Sequence, residues 1–228
     1  VGRMSEPEAI VSALDQLLTP AKRDFEGKTV LVTAGPTVER IDPVRFITNR
    51  STGKMGYAIA EAAAARGARV LLASGPVNLN PPKGVELISV ESSGELCAAV
   101  LSHADEADIV IQAAAPADFT PETVADQKIK KTGGELVLRL VPTTDIAREL
   151  GNRKRPGQIL VAFAAETEHL IENAKRKLEK KNADLVVAND VTRPGAGFGG
   201  NTNIVSLVTR DSAEELPILP KSGVADAI

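Results

Sequence analysis

Basic and amide side chains are concentrated in one polar insertion, which separates the first apolar strand from the helix that follows it. Arg45, Asn49 and Arg50 lie in this insertion, between Val38 and Thr52. Two guanidinium groups and an amide suit an anionic substrate whose carbonyl group must be polarised. A solvated surface loop would carry the same residues, so both interpretations stay open on these side chains alone.

A glycine-rich segment follows the insertion directly. Ser51-Thr52-Gly53-Lys54-Met55-Gly56 precedes an apolar helix, where backbone N–H groups can hold an anion. The segment is not a P-loop, because Met55 follows Lys54 and the glycine spacing is wrong. A dinucleotide site needs an acidic residue at the end of the second strand, where this chain has Ala73-Ser74-Gly75. The segment is therefore interpreted as an anion site or as a simple helix start.

Asp118 is the candidate metal ligand. It follows the short apolar segment 109–111, which is predicted to be a central strand whose carboxyl end faces the ligand crevice. One carboxylate together with phosphate oxygens can hold Mg²⁺, and a turn cap is an equal alternative. His103, His169 and the single cysteine show no metal-ligand spacing, so a zinc site is not predicted.

Lysines form two further candidate sites. Lys128, Lys130 and Lys131 form a run that is either solvated or part of a flap that closes over a triphosphate. Lys177 and Lys181 share one face of a predicted helix, where a surface role is the default. Two histidines in such settings allow no Ser-His-Asp or Cys-His arrangement. Because positive groups outnumber candidate nucleophiles, the pattern favours nucleotidyl or phosphoryl transfer over covalent enzyme chemistry.

The elements that must position these side chains alternate as strands and helices. This alternation predicts an α/β fold, with a Rossmann-like, doubly wound and mostly parallel sheet. A polar excursion over 119–134 and alternating residues over 135–140 predict an antiparallel flap or hairpin. Helix caps are predicted at Ser92 or Ser93 and at Thr144-Asp145. Strands are predicted over 29–33, 69–73, 85–90, 109–111, 158–163, 184–188, 203–209 and 216–219, and helices over 57–66, 146–150 and 168–181.

Composition excludes several classes of protein. The 228 residues include 27 basic and 30 acidic side chains, with a formal charge of −3, which provides no surface for nucleic acid. No apolar run approaches the ~18–20 residues that span a bilayer. No signal peptide is recognised, so we expect a cytoplasmic protein without membrane partners. Residues 1–26 are predicted to be a linker helix that follows another domain, and residues 27–228 one domain.

The motifs together resemble one enzyme family. The longest match runs Thr33-Ala34-Gly35-Pro36-Thr37-x-Glu39-x-Ile41-Asp42-Pro43-Val44-Arg45-Phe46-Ile47-x-Asn49-x-Ser51-x-Gly53-Lys54-Met55-Gly56. It continues through Ala114-Ala115-x-Ala117-Asp118-Phe119, Lys128-Ile129-Lys130-Lys131, Phe163-Ala164-Ala165-Glu166-Thr167 and Ala188-Asn189-Asp190-Val191. Several long motifs in the right order closely resemble phosphopantothenate–cysteine ligase (phosphopantothenoylcysteine synthetase). Residues 1–8 also resemble the junction after the flavin-dependent decarboxylase domain of the bacterial bifunctional enzyme.

The resemblance implies a two-step ligation in coenzyme A biosynthesis. The carboxylate of 4′-phosphopantothenate would attack the α-phosphate of CTP, giving an acyl cytidylate and pyrophosphate. The amine of L-cysteine would then displace CMP. The resemblance further implies Mg²⁺, a homodimer, and FMN only in a preceding decarboxylase domain. A non-catalytic nucleotide-binding module and an NAD(P)-dependent reductase are the alternatives.

The resemblance also implies roles for individual residues. Asn49 would recognise the acyl carbonyl, Lys128 would close from the flap onto the nucleotide, and Arg45 would reach in from a partner subunit. Asp118 would bind Mg²⁺. The nucleotide would lie against Gln112, Ala113, Ala114, Ala115, Asp118, Lys128, Thr144, Asp145, Ile146, Ala147, Phe163, Lys177 and Lys181. The acid would lie against Gly35, Arg45, Asn49, Ser51, Gly53, Gly56 and Asn189. Gln112 stands where the family usually has a smaller residue.

Overall fold

A computed structural model describes residues 22–131, 133–197 and 199–228. Its helices are α1 (Lys54–Ala65), α2 (Ser93–His103), α3 (Ile146–Arg153), α4 (Leu170–Lys180) and α5 (Lys221–Ala227), with a 3₁₀ turn at Ala104–Glu106. Its strands are β1 (Thr29–Ala34), β2 (Val38–Arg40), β3 (Phe46–Thr48), β4 (Arg69–Ser74), β5 (Val85–Ser89), β6 (Ile109–Gln112), β7 (Phe119–Pro121), β8 (Leu140–Pro142), β9 (Ile159–Glu166), β10 (Leu185–Asp190), β11 (Thr202–Asn203), β12 (Ser206–Val208), β13 (Ala213–Glu215) and β14 (Leu219–Pro220).

The strand order makes the central sheet doubly wound. The sheet has eight strands in the order β13-β12-β10-β9-β6-β1-β4-β5. Neighbours from β10 to β5 are parallel, and β12 and β13 are added antiparallel at one edge. The chain runs outward from β1 to β5, then returns to β6 and continues to β10. The order therefore reverses between β1 and β6, which is where open α/β sheets bind ligands. The predicted Rossmann-like α/β class is confirmed.

Apolar side chains cover both faces of this sheet because successive strand residues point to opposite sides. Val30 and Val32 of β1 lie in the same buried cluster as residues of α1 and α5. Leu31, between them, lies in a second cluster with residues of α2, α3 and α4. Full burial of such a side chain contributes about 1.5–3 kcal/mol relative to leaving it exposed. The near-continuous apolar runs in the sequence thus mark strands that are buried on both faces.

Local signals set the starts of three helices. The Ser92 hydroxyl accepts a hydrogen bond from the backbone N–H of Glu95 at 3.2 Å, and Asp145 caps α3 in the same way through Arg148 at 3.1 Å. Both positions agree with the sequence prediction. Helix α1 begins three residues earlier than predicted, directly after Gly53, whose φ of 76° favours glycine.

Two short antiparallel hairpins extend beyond the sheet. Strands β2 and β3 form one hairpin within the polar insertion, and β7 and β8 form the other, as predicted for the segment after Asp118. The strand predicted over 135–140 was wrong in extent, because of these residues only Leu140 belongs to β8. The Val137 side chain is 82% exposed. The alternating apolar residues of this segment do not pack against the core, so the alternation does not produce a strand over its full length.

The C-terminal part departs most from the sequence prediction. The strand predicted over 203–209 is divided between β11 and β12, and of the strand predicted over 216–219 only Leu219 belongs to a strand, β14. Pro217 lies in that stretch and has no N–H for a strand ladder. Strand β14 pairs instead with β11 and leads into α5. Most of the predicted linker helix lies outside the described residues, and residues 24–27 form a turn. Among the described helices, none has the length and hydrophobicity to cross a membrane.

A close backbone contact between α3 and the end of α4 brings two predicted site residues together. A Cβ atom on Gly151 would lie 1.9 Å from the carbonyl oxygen of Lys181. The side-chain amide of Asn182 donates a hydrogen bond to the Gly151 carbonyl at 3.0 Å. Asp145 begins α3 and Lys181 ends α4, so this contact sets the distance between their side chains.

The contact at Gly151 predicts how the addition of a methyl group at this position changes the stability of the chain. Gly151→Ala should lower the free energy of unfolding by about 1–3 kcal/mol, because the methyl group overlaps the Lys181 carbonyl. Gly94→Ala is the matched control, since Gly94 is also helical and its Cβ would meet only the Ser92 hydroxyl, at 3.8 Å. The control should gain about 0.4–1 kcal/mol. Urea unfolding followed by circular dichroism measures both, and equal stabilities would contradict the overlap.

Candidate active site

A cavity of about 500 Å³ opens at the point where the strand order reverses. The carboxyl ends of β6, β9 and β10 form its floor, and the starts of α1 and α3 and one face of α4 form its walls. This volume lies within the range of small-molecule and cofactor sites. Most of the predicted binding residues line this cavity, whereas Gly35 and the three residues predicted to be catalytic, Arg45, Asn49 and Lys128, do not.

The predicted nucleotide contacts form one side of the cavity. The loop after β6 supplies a run of small residues that leaves the backbone accessible, and α3, β9 and α4 supply the rest. Lys128 is the exception and does not line the cavity. The lining residues on this side are Gln112, Ala113, Ala114, Ala115, Asp118, Thr144, Asp145, Ile146, Ala147, Phe163, Lys177 and Lys181.

Two lysines bring positive charge to this side, Lys177 from α4 and Lys181 directly after it. The Lys177 ammonium donates a hydrogen bond to the Phe163 carbonyl at 2.5 Å. Burial lowers the pKa of Lys177, and the nearby charge of Lys181 lowers it further. Lys181 forms an ion pair with Asp145. Burial alone would raise the pKa of Asp145, but the hydrogen bonds from Lys181 and from the Arg148 N–H lower it overall. The Asp145 carboxylate therefore stays ionised.

The start of α1 forms the opposite side of the cavity. Ser51, Gly53 and Gly56 line it there, together with Asn189 from the end of β10. A Cβ atom on Gly56 would lie 2.6 Å from the Ala34 Cβ, so only glycine lets α1 pack this close to β1. The first turn of a helix has free backbone N–H groups that attract anions. This side of the cavity is suited to a phosphate.

Gly35 and Asn49 do not line the cavity themselves but are bonded to its floor. The Gly35 carbonyl accepts a hydrogen bond from the Ala115 N–H at 2.9 Å. The Asn49 side-chain nitrogen donates to the Ala115 carbonyl, and its oxygen accepts from the Ser51 N–H at 3.0 Å. Asn49 thus joins the two sides, because Ala115 belongs to one and Ser51 to the other.

Arg45 and Lys128 lie away from the cavity lining. The Arg45 guanidinium pairs with Asp42 of the same chain at 2.8 Å and donates to the Ile129 carbonyl. Burial alone would raise the pKa of Asp42, but hydrogen bonds from the N–H groups of Val44, Arg45 and Ile129 lower it to about 2. The backbone next to Lys128 is therefore fixed to the β2–β3 hairpin, and the Lys128 side chain is exposed. Its predicted contact with the nucleotide stays a prediction.

Two polar groups on the nucleotide side have spare bonding capacity. Asp118 lines the cavity and is exposed to solvent. Within the described part of the chain, no group of three or more His, Cys, Asp or Glu residues could hold a metal ion. The Gln112 side-chain nitrogen is buried and has no hydrogen-bond partner among the described residues. It leaves a donor for an acceptor atom of a ligand.

Several residues that line the cavity were not predicted individually as site residues, although Thr52, Lys54 and Met55 belong to the segment that was interpreted as an anion site. Lys54 is at the first position of α1, where the helix dipole disfavours a cation, and this was a signal that could have identified it. Lys221 gave no comparable signal. The residues missed are Thr52, Lys54, Met55, Pro116, Ala117, Thr143, Ala162, Ala165, Gly197, Asn203 and Lys221.

Known proteins share this architecture. A crystal structure of the C-terminal domain of coenzyme A biosynthesis bifunctional protein CoaBC superposes with a TM-score of 0.76 and 45% sequence identity. The match covers 89% of this chain and 92% of that domain. The fold and the strand arrangement around the cavity are therefore those of that domain.

Curated relatives match almost the whole chain. The coenzyme A biosynthesis bifunctional protein CoaBC of Bacillus subtilis (strain 168) is 54% identical over 227 residues, which are 98% of this chain and 56% of that protein. A cysteine/cysteine sulfinic acid decarboxylase from an unknown prokaryotic organism is 48% identical over 215 residues, which are 92% of this chain and 60% of that protein. The chain spans little more than half the length of these relatives.

A protein-family model also matches most of the chain. It describes the C-terminal domain of DNA/pantothenate metabolism flavoproteins and matches residues 25–228. This range includes the ligase motifs from Thr33 to Val191, while residues 1–8 lie outside it. The resemblance to the ligase family is confirmed. The chain belongs to the family of DNA/pantothenate metabolism flavoprotein C-terminal domains.

Proposed function

We propose that this chain joins 4′-phosphopantothenate to L-cysteine through an acyl cytidylate, as the phosphopantothenate–cysteine ligase domain of a coenzyme A biosynthesis protein. One observation carries the proposal: a single cavity has glycine backbone and a helix start on one side and two lysines on the other. Such a cavity suits two phosphate-bearing ligands that must meet. The relative named for coenzyme A biosynthesis, 54% identical, supports this substrate class.

In the first step, a carboxylate oxygen of the acid attacks the α-phosphorus of CTP and pyrophosphate leaves. Both reactants are anions, so their repulsion must be offset before the atoms can meet. Lys177 and Lys181 would neutralise the triphosphate. Backbone N–H groups at the start of α1 would hold the phosphate of the acid. Positioning and charge neutralisation supply the rate, and no covalent enzyme intermediate is needed.

In the second step, the amine of cysteine attacks the acyl carbonyl, the amide forms with loss of a proton from the amine, and CMP leaves. Negative charge develops on the carbonyl oxygen during this attack, and a fixed donor stabilises it. The Asn49 amide is held from two directions, by the Ala115 carbonyl and the Ser51 N–H. The second N–H of that amide would donate to the acyl carbonyl.

Asp118 would hold Mg²⁺ together with phosphate oxygens of CTP. Its carboxylate lines the nucleotide side. It lies close enough to Lys177 for its negative charge to act to raise the pKa of that lysine, against the larger effect of burial. An ion that is held by one carboxylate and several phosphates requires no protein-only cage. When bound, Mg²⁺ would supply neutralisation of phosphate charge.

A homodimer would complete the site. The two hairpins expose large apolar side chains, with Val44 58%, Phe46 55%, Phe119 51% and Leu140 41% exposed. Exposed apolar groups that lie together mark interaction surfaces, and β2 lies beside β7. A second copy would cover these side chains and bring the β2–β3 hairpin, with Arg45, toward the cavity of its partner. The preceding decarboxylase domain with FMN belongs to the same proposal for the longer protein.

The reaction itself is the first test. With Mg²⁺, 4′-phosphopantothenate, L-cysteine and each nucleoside triphosphate in turn, the chain should release pyrophosphate most rapidly from CTP. Product should be 4′-phosphopantothenoylcysteine by mass spectrometry, and mixtures without the acid are the control. No pyrophosphate from any triphosphate would favour a non-catalytic nucleotide module. Binding of NAD(P)H in a fluorescence titration would favour a reductase.

The two steps should separate in one variant. Asn49→Asp keeps the shape of the side chain but removes its donor, so pyrophosphate release should continue while amide formation falls by about 10²–10³-fold. The acyl cytidylate should accumulate and be detected by mass spectrometry. Asn152→Asp, on the exposed face of α3, is the control. An unchanged rate of amide formation in Asn49→Asp would contradict the assigned role.

The flap lysine should act on the nucleotide. Lys128→Gln removes a charge-assisted contact worth about 1.5–3 kcal/mol, so kcat/KM for CTP should fall by about 10–150-fold. KM for cysteine should change little. Lys83→Gln, an exposed lysine before β5, is the control. Unchanged turnover of CTP by Lys128→Gln would exclude a role for this side chain.

A further inference from the structure

Two lysines that the proposed reaction leaves unused hold a glycine-rich loop against the cavity. This glycine loop is defined as Gly197 and residues 199–203. The Lys221 ammonium donates to the carbonyl oxygens of Gly197 at 3.0 Å, Gly200 at 2.8 Å and Thr202 at 3.4 Å. The Lys54 ammonium donates to the Gly199 carbonyl at 3.0 Å and to the Asn201 side chain at 2.8 Å.

Buried polar groups hold the glycine loop in place. Lys221 is 6% exposed, which is rare for a lysine. Its backbone N–H also donates to the Asn201 carbonyl, at 2.9 Å. Asn203, equally buried, accepts hydrogen bonds from the N–H groups of Gly197 and Ile204. The loop is therefore fixed at both ends and in its middle.

Both lysines and the glycine loop line the cavity on the side of α1. Gly197, Asn203, Lys54 and Lys221 all contribute to its wall, next to Gly53 and the rest of the helix start. The two ammonium groups come from distant positions in the chain, and α1 packs against α5 behind them. Through Gly197 and Asn203, the glycine loop thus forms part of the wall on the side where the phosphate is proposed to bind.

The charges in this wall are not balanced. Neither Lys54 nor Lys221 forms an ion pair with any carboxylate in the part of the chain that the structure describes. Burial lowers the pKa of Lys221, and the charge of Lys54 lowers it further, with no acidic group acting in the other direction. A buried cation without a counterion is costly. If holding the loop were the whole role, neutral amide donors would suffice without that cost.

We propose that Lys54 and Lys221 are positioning residues that hold the glycine loop over the phosphate side of the cavity and select a phosphate monoester over the corresponding alcohol. The proposal rests on the proposed function, since the ligand is the phosphorylated acid of that reaction. The incoming dianion supplies the counter-charge that the wall lacks. The ammonium groups act through the loop and through their field, because the three N–H groups of Lys221 and two of the three N–H groups of Lys54 are donated to loop acceptors.

Selectivity between phosphorylated and unphosphorylated acid tests the proposal. Dissociation constants for 4′-phosphopantothenate, pantothenate and CTP are measured by titration calorimetry on the wild-type chain, Lys221→Met, Lys54→Met and the exposed-lysine control Lys83→Met. Lys221→Met should weaken 4′-phosphopantothenate about tenfold or more, since charged donors are lost, and should leave CTP within about twofold. Lys54→Met should show the same selectivity loss, at about three- to tenfold.

The outcomes separate the two proposals. Equal weakening of all three ligands, or no change in the preference for phosphate, would overturn the role of the lysines. If Lys221→Met does not fold, Lys54→Met decides by the same criterion, since its side chain is less buried. Binding is measured without turnover, so a wild-type chain that binds the acid but makes no product refutes the proposed function only. Unaltered selectivity in an active enzyme refutes this inference only.

Discussion

The cavity depends on hydrogen bonds that join the loop after β1 to the loop after β6. The Ala115 N–H donates to the Gly35 carbonyl at 2.9 Å, and the Ala117 N–H donates to the Thr37 hydroxyl, also at 2.9 Å. At a switch point the strand ladder ends and the chains on either side diverge. These bonds take the place of the ladder, and they satisfy backbone groups that would otherwise be buried without partners. The floor of the site is therefore continuous between its two sides.

The same junction explains why the site is rich in glycine and alanine. A Cβ atom on Gly75 would lie 1.7 Å from the Pro36 carbonyl oxygen, so the loop after β1 can take its path only beside a glycine. Ala115 in turn offers its carbonyl to Asn49. Close approach of the two backbone segments thus positions the Asn49 amide, which is the group proposed to act on the acyl carbonyl. The side chains of this region are small because the backbone itself does the positioning.

The parts of the structure that could be predicted from the sequence depend on local features or on repeated patterns of apolar residues. The central residues of β1 and β6 form apolar runs, 30–32 and 109–111, because both faces of these strands are covered. Caps such as Ser92 and Asp145 act within one helical turn. Prediction failed where the structure depends on contacts between residues that are far apart in the sequence. Alternation around Val137 indicated a strand, but no core lies beside it. Lys221 was missed because its acceptors lie about twenty residues earlier in the chain, in a loop without a regular pattern.

Four lysines line the cavity, two on each side. Lys177 and Lys181 stand on one side and Lys54 and Lys221 on the other, and of these four only Lys181 has a carboxylate partner among the described residues. Like charges that face one cavity repel each other and lower the stability of the ligand-free chain. In the proposed reaction, two anionic ligands would remove that repulsion together, each at its own side. Binding free energy would then be used to bring two mutually repelling reactants together, and the backbone junction between the sides would set where their reacting atoms meet.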